Sequence, residues 1–117
     1  MEEARHALLL QRLRYGPSKV TAYDALRWAT EGSARCLGRD DIGRIAAGMQ
    51  ADLALFTIDE PRFSGAQDPI AALPLCGAHR ADRVMVAGRW RVIDGQPEGI
   101  DLTTLILRHK AAARAFA

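Results

Sequence analysis

The stretch GRIAAGMQADLALFTID, residues 43–59, indicates how this chain folds. A glycine turn and a connector of small residues lead into residues 52–58, whose pattern predicts a β-strand. Its apolar residues fall on both sides of the strand: Ala54, Phe56 and Ile58 on one, Leu53 and Leu55 on the other. Because neighbouring side chains of a strand point to opposite faces, this strand requires cover on both.

Composition and charge restrict the class of protein. The 117 residues are 49% hydrophobic and 26% charged, which is typical of one folded domain. A net charge of +2 gives no electrostatic footprint for nucleic acid. No apolar run approaches the roughly 20 residues of a membrane helix, and Glu2 and Glu3 are unlike a signal peptide. Cys36 and Cys76 form no CxxC motif, so buried, reduced thiols and a cytoplasmic location are predicted.

Two helices are predicted before the strand. The first spans Glu2–Tyr15 and stops at a Gly-Pro pair. One of its faces carries three leucines: Leu9, Leu10 and Leu13. Thr21 and Asp24 have the spacing of a capping box for the second helix. Gly32 interrupts that helix or marks a close contact, and Gly38 is predicted to end it.

Further elements are predicted after the strand. Asp68-Pro69 suits the start of a short helix. Arg83–Ala87 and Arg89–Ile93 read as a hairpin that turns at Ala87-Gly88 and is closed by Asp94-Gly95. Asp101 can cap a last helix with one apolar face: Leu102, Leu105, Ile106, His109, Ala113 and Phe116. Three strands with apolar faces make a poor independent sheet, so the chain looks like half of a larger fold.

Histidine and cysteine provide few candidates for chemistry. No HxH, HExxH or CxxC motif is present, so the short-range spacing of metal ligands is missing. His6 and His109 lie at helical spacing with leucines, which predicts histidines at the edge of a core. His79 lies three residues after Cys76 and invites a thiolate–histidine pair. No third group orients such a pair, so a buried structural cysteine is the favoured interpretation.

Carboxylates and other polar residues are also better explained structurally. Asp40 and Asp41 lack the further oxygen ligands of a cation site, which favours a turn. Asp52 is predicted to fix a turn by accepting backbone hydrogen bonds. Trp28 and Trp90 are most simply packing residues. Four arginines surround the predicted hairpin: Arg80, Arg83, Arg89 and Arg91. They are best explained as a solvated face of the sheet, and binding of an anionic partner is the less favoured interpretation.

The order of motifs resembles the end of an amidohydrolase-superfamily enzyme. The resemblance lies in three stretches, which follow one another in the order VTAYDALRWATEGSARCLG, DDIGRIAAGMQADLALFTID and ADRVMVAGRWRVIDG. The resemblance implies an α+β chain that lacks most of a TIM barrel. Residues 1–42 would be the last helices of that barrel, 43–100 the C-terminal half of a small β-sandwich, and 101–117 a C-terminal helix. N-terminal strands of the same enzyme would supply the missing cover of the strand.

Three other stretches resemble a narrower branch, the 8-oxoguanine deaminases and their relatives acting on cytosine, guanine and triazine rings. They are EARHALLLQRLRYG, DEPRFSGAQDP and CGAHRADRVMV. The resemblance implies a parent enzyme whose zinc or iron polarises a water that attacks the amino-bearing ring carbon. None of the family's metal-binding motifs lies in this chain. Catalytic and metal-binding residues are therefore assigned as none, substrate-binding residues as unknown, and the chain alone is expected to hold no cofactor and to be inactive.

Three accounts of such a chain remain open. Met1 resembles an internal position of the family pattern, which favours a C-terminal fragment of an amidohydrolase. A stand-alone scaffold protein that pairs through exposed strand edges, or one subunit of a split hydrolase, would also fit. All three predict exposed apolar faces, and hence association with itself or with the missing N-terminal part. No nucleic-acid or membrane partner is expected.

Overall fold

The computed structural model describes residues 1–116, so that Ala117 of the last predicted helix lies outside the described residues. Five helices, a π-helical turn, a 3₁₀ turn and four strands follow one another. They are α1 (Glu2–Tyr15), α2 (Ala22–Arg27), the π turn (Trp28–Gly32), α3 (Ser33–Cys36), β1 (Leu53–Leu55), the 3₁₀ turn (Pro61–Phe63), α4 (Pro69–Leu75), β2 (Arg83–Val86), β3 (Arg89–Ile93), β4 (Gln96–Pro97) and α5 (Leu102–Arg114). The predicted boundaries at residues 42 and 100 remain predictions.

The second helical segment begins and ends as its sequence predicts. The Thr21 hydroxyl accepts from the Asp24 backbone N–H at 3.1 Å, and the Asp24 carboxylate accepts from the Thr21 backbone N–H at 2.9 Å. At the other end, Gly38 has a φ of 67° and its N–H donates to Arg35, while Arg39 donates to Ala34. These two bonds form a Schellman motif, which turns the chain away from the helix axis.

Gly32 does not interrupt this helix. The chain passes from α2 into α3 through the π turn, which absorbs one extra residue without a break. The Ser33 hydroxyl donates to the Trp28 carbonyl at 3.2 Å across the turn. The alternative prediction of a close contact at Gly32 is also wrong, since a Cβ added there would meet its nearest neighbour, the Arg27 carbonyl, at an ordinary 3.5 Å. The close approach to this helix is made by Gly43, near Thr30 and Glu31.

A small apolar cluster joins the first two helices. Leu8 of α1 is fully buried against Val20, Ala22 and Ala25, and Ala71 of α4 packs on the same cluster. The Arg12 guanidinium donates through Nε to the Val20 carbonyl at 2.8 Å. This bond fixes the connection between α1 and α2, because the carbonyl lies directly before the helix cap.

The four strands form one antiparallel sheet in the order β1-β2-β3-β4. The predicted hairpin is confirmed: Ala87 and Gly88 both have positive φ, at 50° and 76°, as a two-residue hairpin turn requires. Two predictions are wrong. The first strand covers only Leu53–Leu55, and Asp94-Gly95 does not close the hairpin but turns the chain into β4. The second error arose because a two-residue strand containing proline carries no alternating pattern.

The sheet itself buries none of its described residues. Phe56 leaves β1 and packs at the edge of a second cluster, formed by Phe63, Ala72 and Ala78. Helix α4 therefore contacts both clusters, through Ala71 in the first and Ala72 in the second. Asp68 caps this helix as predicted, accepting from the N–H groups of its first turn. The short α4 thus links the cluster between α1 and α2 to the cluster at which Phe56, directly after β1, packs.

Gly43→Ala is predicted to destabilise the chain by about 2–4 kcal/mol, through left-handed backbone strain and overpacking. Gly43 has a φ of 91°, and an added Cβ would lie 2.9 Å from the Ala34 Cβ. The matched control is Gly48→Ala, at a φ of 83° with nothing within 4 Å, for which strain alone predicts about 1 kcal/mol. Urea unfolding at one protein concentration measures both. Equal losses for the two variants would contradict the steric part of this prediction.

Candidate functional site

A polar pocket lies where α1 begins. Its volume is about 200 Å³, and it brings together residues from α1, the 3₁₀ turn and the end of α4. The lining residues are Met1, Glu2, Arg5, Arg62, Pro74, Cys76, Gly77 and His79. The structure thus places Cys76 and His79 at one pocket, and adds two arginines to them.

The Gly77 carbonyl organises this pocket. Its oxygen lies 2.7 Å from His79 Nδ1 and 3.2 Å from Arg62 Nη1, so it accepts from both side chains. Gly77 can present this carbonyl because it follows α4 with a φ of 79°, a conformation that favours glycine. Arg62 Nε is also paired with the Glu60 carboxylate at 2.9 Å. The imidazole of His79 is therefore held by a backbone carbonyl that also accepts from Arg62.

A hydrogen-bonded relay connects the helices to the sheet. Arg39, at the end of α3, pairs with Asp41 at 2.6 Å and donates to the Gln50 side-chain oxygen at 3.1 Å. Gln50 Nε2 donates in turn to the Asp52 carboxylate, at 2.9 Å to Oδ2. Asp52 Oδ1 accepts from the Ala87 backbone N–H at 2.7 Å. Asp52 thus has the turn-fixing geometry that its position before a strand predicts.

The same contacts lower the pKa values of two carboxyl groups. The Ala87 N–H, followed by the Gln50 amide, lowers the pKa of Asp52. The Arg39 guanidinium lowers the pKa of Asp41 by hydrogen bonding. Asp41 therefore serves in an ion pair at a turn, as its sequence context favours, and Asp40 lies exposed beside it.

Three predictions about buried residues are wrong. His6 and His109 are exposed rather than at the edge of a core, because the leucine-bearing faces they share are themselves exposed. Cys36 is exposed and Cys76 half-buried, and neither is in a disulfide among the described residues. Trp28 is 43% exposed on the π turn. Helical periodicity identified the apolar faces, but it could not tell whether this chain covers them.

The hairpin arginines are mostly paired or solvated. Arg83 stacks over the Trp90 ring at 5.9 Å and lies 3.6 Å from the Asp94 carboxylate. Arg80 donates to the Gly95 carbonyl at 2.9 Å. Arg89 and Arg91 are exposed. Their arrangement is that of a solvated sheet face, the interpretation favoured by the sequence.

Large apolar side chains are unusually exposed across the molecule. On α1, Leu10 is 65% and Leu13 86% exposed, and α5 buries none of its described residues. The accessible surface of 8952 Å² exceeds by about 40% the roughly 6,300 Å² expected for a compact monomer of 12.8 kDa. The radius of gyration of 17.2 Å likewise exceeds the roughly 13 Å of a compact domain of this length. The exposed apolar faces of α1 and α5 are therefore candidate contact surfaces.

Residues 1–116 contain neither a cluster of metal-binding side chains nor a membrane-spanning helix. No group of three or more histidine, cysteine, aspartate or glutamate side chains in this range could hold a metal ion. Within the same range, no helix combines the length and apolar character needed to cross a bilayer. The side chains of residues 1–116 therefore do not fit a metal centre.

Comparison with known proteins gives the fold its context. The model of the amidohydrolase family matches residues 1–91. The chain belongs to the amidohydrolase family. This amidohydrolase chain is 66% identical to the 8-oxoguanine deaminase of Pseudomonas aeruginosa over 114 residues, which cover 97% of the chain and 25% of that enzyme. It is 33% identical over 91 residues to an isoxanthopterin deaminase of an unknown prokaryotic organism, covering 77% of the chain and 19% of that protein.

Comparison with solved structures agrees with membership of the amidohydrolase family. The crystal structure of an atrazine chlorohydrolase from Arthrobacter aurescens TC1 complexed with zinc superposes with a TM-score of 0.84 at 35% identity, covering 94% of this chain and 25% of that one. The expected family, its deaminase relatives and the α+β fold class are thereby confirmed. The chain spans about a quarter of the length of both the 8-oxoguanine deaminase and this hydrolase.

Sequence reasoning missed Arg5 and Arg62 as members of the pocket. Arg5 looked like one of several solvated helix arginines, and Arg62 lay in a predicted loop. The sequence signal that could have indicated Arg62 was its neighbour Phe63, since an aromatic residue in a polar loop suggests that the loop packs against a core. Their distance from His79 in sequence hides the contact, which only the packing of the Phe63 cluster creates.

Asp52→Asn is predicted to reduce the pH dependence of stability below about pH 4, the ordinary range of aspartate. The pKa of Asp52 is lower in the folded chain, so its ionised form stabilises the fold above the unfolded pKa. That contribution is lost as the pH falls through the folded pKa. Urea midpoints measured from neutral to acidic pH should therefore fall less steeply in the variant. Asp59→Asn is the matched control, and identical pH profiles for wild type and Asp52→Asn would contradict the role of Asp52.

Proposed function

We propose that this chain is a structural part of a metal-dependent amidohydrolase that hydrolytically deaminates a purine-like ring of the 8-oxoguanine type. The observation that carries this proposal is the 66% identity to 8-oxoguanine deaminase along 97% of the chain. Identity of this degree over a continuous stretch favours the same enzyme class over the triazine hydrolases, at 35%. The two free cysteines fit a reducing, cytoplasmic setting.

The part that this chain supplies is support for the catalytic centre. Its described residues lack a metal-binding cluster, while its relatives include an amidohydrolase complexed with zinc. When bound in such an enzyme, the metal supplies a water activated for attack on the ring. The chain contributes helices and a sheet whose packing holds neighbouring barrel elements in place.

The partner proposed for the exposed apolar faces is the remaining three quarters of the same amidohydrolase fold. The sheet, the leucine face of α1 and α5 are all uncovered, and the exposed area is far above that of a compact monomer. Matched relatives are about four times as long, which is enough chain to cover these faces. Extensive apolar interfaces are typical of permanent rather than transient contacts.

The isolated chain is predicted to self-associate at micromolar concentration, because its uncovered leucines have no other apolar surface to contact. Changing both Leu10 and Leu13 to Glu should weaken association by about tenfold or more, since each buried leucine contributes about 2 kcal/mol. Sedimentation velocity measures the species present. Leu37→Glu, at a residue that is 71% exposed outside these faces, is the matched control. A monomeric wild-type chain would contradict the prediction.

The proposed activity is tested directly with a chimeric enzyme, called the graft. The 114 matched residues of the Pseudomonas aeruginosa deaminase are replaced by this chain, and ammonia release from 8-oxoguanine is measured. The graft should retain the parent rate within about tenfold, because substitutions away from the chemistry mostly change stability. The isolated chain and the deaminase lacking this quarter are the controls, and both should release no ammonia.

Two outcomes would overturn the proposal. A graft that folds and binds zinc but leaves 8-oxoguanine unchanged would show that the segment does not suit this enzyme class. Zinc-dependent ammonia release by the isolated chain would show that catalysis does not need the remainder of the barrel. Circular dichroism and zinc content of the graft separate loss of activity from loss of folding.

A further inference from the structure

The pocket at the start of α1 is lined by two arginine side chains and a histidine. Of its eight lining residues, Arg5 and Arg62 are guanidinium groups, His79 is an imidazole, and Glu2 is the single carboxylate. Arg62 and His79 are 17 residues apart in sequence, and Arg5 comes from a different element. The fold therefore assembles this pocket from three separate segments.

Two of these side chains are held in position by the backbone. The Gly77 carbonyl accepts from Arg62 Nη1 and from His79 Nδ1, at 3.2 and 2.7 Å. Glu60 engages Arg62 through Nε, which leaves Nη2 of the same guanidinium free of the hydrogen bonds found among residues 1–116. A guanidinium fixed on one side and free on the other is arranged to donate to a further acceptor.

Arg5 is the third component. Its guanidinium makes no hydrogen bond or ion pair with the described residues, and its Nη1 lies 4.0 Å from the position of a Cβ added to Gly77. Arg5 thus lies close to Gly77, the residue whose carbonyl accepts from the other two side chains. Two guanidinium groups that line one cavity favour an anion there, because opposite charges attract.

We propose that this pocket binds an oxyanion of the carboxylate or phosphate type. Planar guanidinium groups match the two oxygens of such an anion, and the cavity of about 200 Å³ has room for it. Two sources share this chemistry: a carboxylate side chain from an adjoining part of the longer enzyme, or a free oxyanion from solution. The proposal that a carboxylate of the longer enzyme fills the pocket rests on the proposed function. The proposal that the isolated chain binds an oxyanion does not.

The first experiment titrates the isolated chain with inorganic phosphate and follows backbone amide resonances by NMR. Saturable shifts are expected at Gly77, Ala78 and His79. Arg5→Gln should weaken binding by about tenfold, because one charge-assisted hydrogen bond is lost. Since Arg5 makes none of the contacts that hold the pocket, this variant keeps its fold. Arg62→Lys keeps the positive charge but loses the planar guanidinium that can donate two parallel hydrogen bonds. It should therefore weaken phosphate binding less than Arg62→Gln, which loses both.

Arg108→Gln, on α5 and outside the pocket, is the matched control and should bind phosphate as the wild type does. Shifts that never saturate, or that are the same in Arg5→Gln and wild type, would mean an adventitious ion only and would overturn the proposal. These readouts do not depend on deaminase activity, so failure here is distinct from failure of the graft to deaminate 8-oxoguanine.

The second experiment identifies the source, using the graft described above. If a carboxylate of the adjoining enzyme fills the pocket, phosphate leaves the melting temperature of the graft unchanged, while Arg5→Gln lowers it. If the ligand is a free oxyanion, phosphate raises the melting temperature of the graft and this rise is lost in Arg5→Gln. A melting temperature that responds to neither phosphate nor Arg5→Gln would overturn the proposal for the longer enzyme.

Discussion

Apolar side chains on both faces of a small sheet are the constraint on which the rest of this structure depends. Strands with two apolar faces are stable when both faces are covered, yet the described chain buries no residue of its four strands. The sheet is held at its ends instead, by Phe56 in the Phe63 cluster and by the bond from Ala87 to Asp52. A sheet anchored at its ends keeps its faces free for another part of the same fold.

The internal packing of the chain is correspondingly small. Among residues 1–116, six buried hydrophobic residues are alanines, and the larger buried side chains are Leu8, Val20, Phe63 and Pro74. Alanine allows close approach of helices but removes little apolar area from water. Most of the hydrophobic free energy that this sequence can contribute therefore lies in side chains that its own fold leaves exposed. This is why α4, which contacts both clusters, has so large a share in holding the two clusters together.

Local signals predicted the elements well, because they depend on neighbouring residues. Thr21 with Asp24, Gly38 and Asp101 mark helix ends, and Ala87-Gly88 marks the hairpin, through backbone geometry and hydrogen bonds that span only a few residues. The errors concern longer distances. His6 and His109 have the helical spacing of residues at the edge of a core, but spacing does not say whether a partner surface exists. The pocket was also beyond prediction from sequence, since Arg5, Arg62 and His79 meet only through tertiary packing.

The sequence by itself therefore determined the order of elements, the apolar faces and, through its motifs, the resemblance to amidohydrolases. Each of these features depends on residues close together in the sequence, because hydrophobic periodicity and turn-forming residues determine structure over short stretches. Only the tertiary structure decided which faces are covered, that Asp52 ties the hairpin to the helices, and that two arginines and a histidine share one cavity. These features depend on contacts between segments far apart in the chain, and such contacts follow from packing of the whole fold rather than from any local pattern.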